Sequence, residues 1–194
     1  MNPATTGFVV LAALTLAHGV QPIRAAGAES DGPVVEPEAF RNENYRAPTP
    51  TTLRGARVVS TAEAQALWQT RSAAFVDVMP HVPRPANLPA GTLWRDKPRM
   101  NIPGSIWLPD TGYGELSIAA EDYLHRELRQ ITGGDRAKPV VFYCLRDCWM
   151  SWNVAKRAVS CGYTGVVWYP EGTDGWQDAG LPLEQGRAAP RSGE

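Results

Sequence analysis

Cysteine is scarce in this chain. Three in 194 residues are too few to staple a fold with disulfides. Histidine is equally scarce, and one of the three, His18, lies in an apolar leader. No grouped donor set for a four-ligand zinc site is visible. Excess charge of one sign is missing too: 19 Lys and Arg face 20 Asp and Glu, a net of −1. A nucleic-acid binder would show a basic surplus. No apolar run reaches the ~20 residues that a membrane-crossing helix needs, so stable membrane insertion is not expected. Walker loops, the G-x-G-x-x-G fingerprint and C-x-x-C-H haem attachment are all absent, as are repeats and coiled-coil heptads. What remains is enough chain for one domain with a tail.

The apolar run that does exist is short. Residues 7–17 (GFVVLAALTLA) are uncharged, and Ala26-Gly27-Ala28 follows. Length and small-residue exit fit an export signal over residues 1–28, which places the protein in the periplasm, an oxidising compartment. Residues 29–55 are polar and aperiodic and read as an extended, mobile lead-in. Phe40, Tyr45 and Arg46 are the residues able to dock it. Residues 56–184 form the domain, and 185–194 are expected as a disordered tail.

Periodicity outlines that domain. Ser60 and Glu63 form a capping box ahead of a helix through Trp68. Residues 73–78 read as a buried strand. A proline-rich insertion, 80–98, can be neither helix nor central strand. Residues 102–109 turn into a short strand, and 117–131 form a helix stopped by Gly133-Gly134. Residues 139–143 are a strand buried on both faces. A helix then runs to about Cys161, with Gly162 as its stop. A strand at 166–169 and a short helix around Gly175-Trp176 complete the pattern. Strand and helix alternate, which predicts an α/β fold: a parallel sheet flanked by helices.

The chemistry concentrates where the 139–143 strand ends, in Tyr143-Cys144-Leu145-Arg146-Asp147-Cys148-Trp149-Met150-Ser151. Ligands of open α/β sheets bind beyond the carboxyl ends of strands, beside helix N-termini. Free N–H groups and the helix dipole stabilise an anion there, and a thiolate is one. Cys144 is expected as the nucleophile with a lowered pKa, and Cys148 as the resolving thiol. Arg146, Trp149, Met150 and Ser151 are the expected anion- and loop-binding residues. Asp77 is expected to brace the sheet end. Soft sulfur ligands, the two cysteines with Met150, would suit Cu(I). Otherwise no metal or cofactor is expected. Cys161 reads as a small buried hydrophobe, and His125 as a surface residue.

Residues 56–184 resemble a rhodanese-like domain. The resemblance is carried by Val76-Asp77-Val78, by Asn101-Ile102-Pro103-Gly104-Ser105-Ile106, and by the segment 139–184. In that segment the family has a strand delivering a Cys into a loop, then a helix, a Gly-aromatic pair, a strand and an E-G-G-x-x-x-W stretch. Here these fall on Cys144, Gly162-Tyr163, Val166 to Trp168, and Glu171-Gly172 through Trp176. Met79 stands where the family's D-V-R strand end has Arg, and Met150 where its Cys-loop has Arg. The leader and the Cys-Trp loop also resemble the exported PQQ-dependent catabolism-associated CXXCW motif proteins, with three residues between the cysteines instead of two. The resemblance implies redox or sulfur-carrier chemistry, with a persulfide on Cys144 as the carried group. It also implies a periplasmic quinoprotein dehydrogenase or cytochrome as partner. A non-enzymatic accessory module for such a system, or a copper carrier, are the alternatives it leaves open.

Overall fold

The computed structural model describes residues 1, 32–82, 84–95 and 97–191. All but the first residue of the expected export signal lies outside the described residues.

Seven strands and four helices are formed by the described residues of 33–194: β1 Arg57–Val58, α1 Thr61–Gln69, β2 Ala74–Asp77, β3 Met100–Asn101, β4 Ile106–Trp107, α2 Ile118–Thr132, β5 Val140–Tyr143, α3 Trp149–Ser160, β6 Val166–Trp168, α4 Gly172–Asp178 and β7 Glu184–Gln185. Five strands make one sheet in the order β1-β6-β5-β2-β4, paired in parallel throughout. This is the α/β architecture the sequence predicts. β3 and β7 form a separate antiparallel pair.

Central β5 is buried at all four positions. Its side chains alternate with the pleat. Val140 and Phe142 join Leu124, Leu128, Trp152 and Trp168 in one core. Val141 and Tyr143 join Ala64, Phe75, Tyr169 and Trp176 in the other. Local signals set the helix ends. The Ser60–Glu63 capping box starts α1. Ser117 accepts from the Ala120 N–H at the start of α2, and Gly133 ends it with φ +65°.

Two terminal segments differ from expectation. Residues 33–55 are docked. Their path follows one face of α3: Trp149, Trp152, Asn153, Lys156 and Arg157, the i, i+3, i+4, i+7, i+8 stripe. Asn153 Nδ2 donates to Arg41 O (2.9 Å) and to Gly112 O (3.0 Å), and Asn153 Oδ1 accepts from Arg41 N–H (3.0 Å). Trp149 and Trp152 donate their indole N–H groups to Pro48 O and Thr52 O, each at 3.2 Å. Phe40 lies under the Arg157 guanidinium at 4.3 Å, and Tyr45 packs edge-on to Tyr113. The segment is polar because its main chain is satisfied by side chains of α3; low hydrophobicity does not make it a free lead-in. Residues 185–191 are also held, by β7, by the Ala189 N–H to Trp107 O bond of 2.9 Å, and by Arg191 to Asp110 at 2.9 Å.

Asn153 is fully buried, so Asn153→Ala strands three backbone groups of arm and loop. A destabilisation of about 2–3 kcal/mol is expected, read as a lowered urea midpoint. Earlier tryptic cleavage within residues 41–54 accompanies it.

Candidate functional site

β5 delivers Cys144 to the carboxyl edge of the sheet, where the chain turns through residues 144–148 into α3. The turn is tight: Asp147 has φ +53°, an unusual value for a non-glycine residue. The Cys144 carbonyl accepts from the Thr173 N–H at 3.0 Å and from Arg99 Nη2 at 3.3 Å. Cys148 becomes the N-cap residue of α3. Both thiols are reduced and buried, Cys144 completely and Cys148 to 2 % exposure.

The two sulfurs are driven in opposite directions. Burial pushes the Cys144 thiol well up, and the neighbouring Cys148 and Asp77 add to it. Cys148 is pulled down to about 7. The largest cause is hydrogen bonding from the Cys144 side chain, whose thiol also lies 3.5 Å from Met79 Sδ as an alternative acceptor; burial opposes it, and the N–H groups of Met150 and Leu145 and the charge of Arg46 reinforce it. The expectation of a lowered pKa at Cys144 is therefore corrected. The helix N-terminus stabilises whichever sulfur reaches its N–H groups, and that sulfur is at the N-cap.

Other expected site residues have different employment. Arg146 is spent on α4: Nε to Glu171 at 2.7 Å and Nη2 to Asp178 at 2.6 Å. Its guanidinium is not an anion ligand of the loop. Ser151 Oγ donates to Cys148 O and accepts the Trp168 indole N–H, both at 3.0 Å, so it pins the first turn of α3 to β6. Met150 is packed against Gly112. Trp149 holds the arm, with Arg41 over its ring at 5.2 Å.

Asp77, at the end of β2, is fully buried. Its Oδ2 takes Arg99 Nε at 2.8 Å, Arg99 Nη2 at 2.7 Å and Asn101 Nδ2 at 3.1 Å; its Oδ1 takes the Met79 N–H at 2.8 Å. Arg99 does not stand out in the sequence. The available signal was physical: a buried strand-end carboxylate requires a cation, and Met79 removes the adjacent candidate. Met79 turns its sulfur to Cys144, Sδ to Sγ 3.5 Å. On its far side Met79 lines a cavity of about 170 Å³ with His81, Lys97, Arg99 and Trp107. A larger cavity, about 680 Å³, lies against Trp68, Phe75 and Pro103, residues that touch neither thiol. Cys161 is half-buried, 3.2 Å from His125 Nε2, and its pKa is raised by burial.

Burial pushes the Asp77 carboxyl up to about 6, with Arg99 pulling against it. An acid whose folded value exceeds its unfolded one stabilises fully below the unfolded value of ~4, and that stabilisation is lost as pH rises through the folded value. The group is worth about 3 kcal/mol over that window. Unfolding free energy is expected to fall more between pH 4 and 7 in the wild type than in Asp77→Asn, which cannot ionise. Urea titrations at the two pH values measure the difference.

Strand, Cys-bearing turn, helix, strand and α4 now stand in register with a known pattern. Residues 60–179 match the model of the rhodanese-like domain. The chain belongs to the rhodanese-like domain family. Among curated proteins none matches. Among solved structures, a thiosulfate sulfurtransferase from Pseudomonas aeruginosa is 23% identical, over 70% of this chain and 21% of that one, with a TM-score of 0.48. A polysulfide-sulfur transferase homodimer from Wolinella succinogenes is 20% identical, over 72% and 85%, at 0.40. An uncharacterized protein from Saccharomyces cerevisiae is 21% identical, over 64% and 93%, at 0.39. This rhodanese-like chain spans about a fifth of the length of the Pseudomonas protein.

Proposed function

We propose that this rhodanese-like protein is a dithiol sulfur carrier in which Cys148 is the thiolate and Cys144 the partner thiol. One observation carries the reading: both thiols are buried in the single turn between β5 and α3, with Cys144 displaced up and Cys148 down. That pairing leaves a nucleophile at neutral pH beside a thiol that retains its proton.

The Cys148 thiolate attacks the outer sulfur of a thiosulfonate-class donor. An S–S bond forms on Cys148, the donor's S–S bond breaks, and the sulfinate leaves with the electron pair. Cys144 then attacks the inner sulfur of the Cys148 persulfide. A Cys144–Cys148 disulfide forms, and the outer sulfur departs as hydrosulfide with the Cys144 proton. Two thiols are oxidised and one sulfane sulfur is reduced. A dithiol reductant returns the pair to its starting state.

Mass spectrometry after exposure to such a donor tests this. Expected are one added sulfur on Cys148 in Cys144→Ser, and a Cys144–Cys148 disulfide with hydrosulfide release in the wild type. Persulfide on Cys144 alone, or no sulfur on either cysteine, overturns it.

The finer placement belongs to the same proposal. Export to the periplasm, and a role beside PQQ-dependent alcohol oxidation with a quinoprotein dehydrogenase or cytochrome as partner, are supported by the leader and by the resemblance of the Cys-Trp loop. A second reading is favoured by one contact. Met79 Sδ, 3.5 Å from Cys144 Sγ, makes a third sulfur beside the two cysteines, a donor set suited to Cu(I). Met79 here takes the place expected for Met150. Loss of Cu(I) retention in Met79→Leu, by competition with a chromogenic chelator, would support that reading; unchanged retention would end it.

A further inference from the structure

The loop lacks the arginine that its family places in the turn; Met150 stands there and is buried. The nearest substitute within the turn, Arg146, is consumed by Glu171 and Asp178. Another arginine comes from about a hundred residues away. The docked arm crosses the turn as a short antiparallel bridge that pairs Arg46 with Cys148. The bridge is fixed on both sides: Ala47 N–H donates to Asp147 O at 3.1 Å, and Trp149 N–H donates to Tyr45 O at 2.9 Å. Trp149 is the first residue of α3, so the arm takes one of the helix N–H groups that would otherwise face an anion. Tyr45 is itself held, its hydroxyl by the Gly114 N–H at 3.2 Å and its ring by Tyr113. Arg46 is exposed, and its side chain makes no ion pair among the described residues.

We propose, on the reading that Cys148 is the reacting thiol, that Arg46 is the positioning cation of this site, carried to the sulfur by an arm that also covers it. The arm and the thiol are then one device. With the arm docked, Cys148 is half thiolate at neutral pH but shielded. A substrate reaches it when the 45–47 bridge opens, and an anionic substrate meets the Arg46 guanidinium on the way. The charged and titratable groups around the sulfur are few. Cys144 faces it from the end of β5, with the Asp77–Arg99 pair of β2 and the β3 approach behind it. Asp147 is adjacent in the turn, and Arg46 comes from the arm. Arg46 is the cation of this set without an ion-pair partner among the described residues.

Alkylation of Cys148 in the full chain, resolved by mass spectrometry against pH, tests this. In Arg46→Gln the midpoint moves up by about half a unit, so the rate at pH 7 falls about twofold while the high-pH plateau stays. The rate ratio of iodoacetate to iodoacetamide falls as well, because the anionic reagent loses its cation. Arg46→Lys restores both. In Tyr45→Ala the plateau itself rises, because the cover is loosened. An unchanged midpoint and reagent ratio in Arg46→Gln, with a wild-type midpoint near 7, overturns the inference and leaves the dithiol reading standing. An unchanged plateau in Tyr45→Ala overturns the covering role of the arm. A wild-type Cys148 titrating in the ordinary thiol range overturns the reading and the inference together.

Discussion

Cys148→Ala is expected to slow total thiol alkylation at pH 7 about tenfold or more, while Cys144→Ala slows it about fivefold. Ionisation sets both figures. With a midpoint of about 7, Cys148 is half thiolate at neutral pH. Cys144 and Cys161 are both raised above the ordinary thiol value, so each is a thiolate only to a minor extent at neutral pH. Nearly all reactivity therefore resides in one sulfur. Cys144 contributes indirectly: its proton does most to hold the Cys148 pKa down, and alanine removes it. Cys144→Ser keeps a donor in place, so its Cys148 midpoint stays close to the wild-type value. Peptide-resolved alkylation across pH 5 to 10 separates the three variants. Equal losses in Cys144→Ala and Cys144→Ser would show that the hydrogen bond is not what lowers Cys148.

That ranking of the two thiols was the part of the site least legible from sequence. The strand into Cys144 and the helix after Cys148 follow from an apolar run and a Gly162 stop, both local. Position at a strand end and a helix start makes both cysteines candidates and favours the first. The deciding facts are not local. Cys144 is fully buried under β2 and α4 residues. Cys148 alone receives the Leu145 and Met150 N–H groups. Arg46 arrives from an arm whose docking depends on Asn153, Trp149 and Trp152, spaced along α3. Nothing in residues 33–55 has a period, because an extended segment whose backbone is bound by side chains needs none. Phe40, Tyr45 and Arg46 were visible as docking residues; the face that receives them was not, since the buried Asn153 that holds the arm belongs to no motif. Arg99 was hidden by its place beside a proline-rich insertion. Only the burial of Asp77 identifies it.

Gly172→Ala is expected to combine a large backbone perturbation with a chemical readout. Gly172 begins α4 with φ +53° and forms a bridge with Leu145. A Cβ there would lie 2.5 Å from Cys144 O, 2.8 Å from Cys144 C and 2.8 Å from Leu145 C. All three are main-chain atoms, so no side chain can rotate to relieve the contact. The left-handed backbone adds about 1 kcal/mol by itself, and displacing the peptide brings the total to about 2–4 kcal/mol. The peptide that must move joins the two residues that set the Cys148 charge. Its N–H is the Leu145 donor, and its carbonyl is the one held by Thr173 and Arg99. The variant should therefore lower the urea midpoint and raise the Cys148 alkylation midpoint together. Gly180 has a similar φ of +70° but open space around its missing Cβ, and Gly180→Ala should cost only the backbone share and leave Cys148 untouched. If Gly172→Ala destabilises the chain yet leaves the alkylation profile in place, the close approach of α4 to the turn is structural, and the thiolate depends on the arm and Cys144 alone.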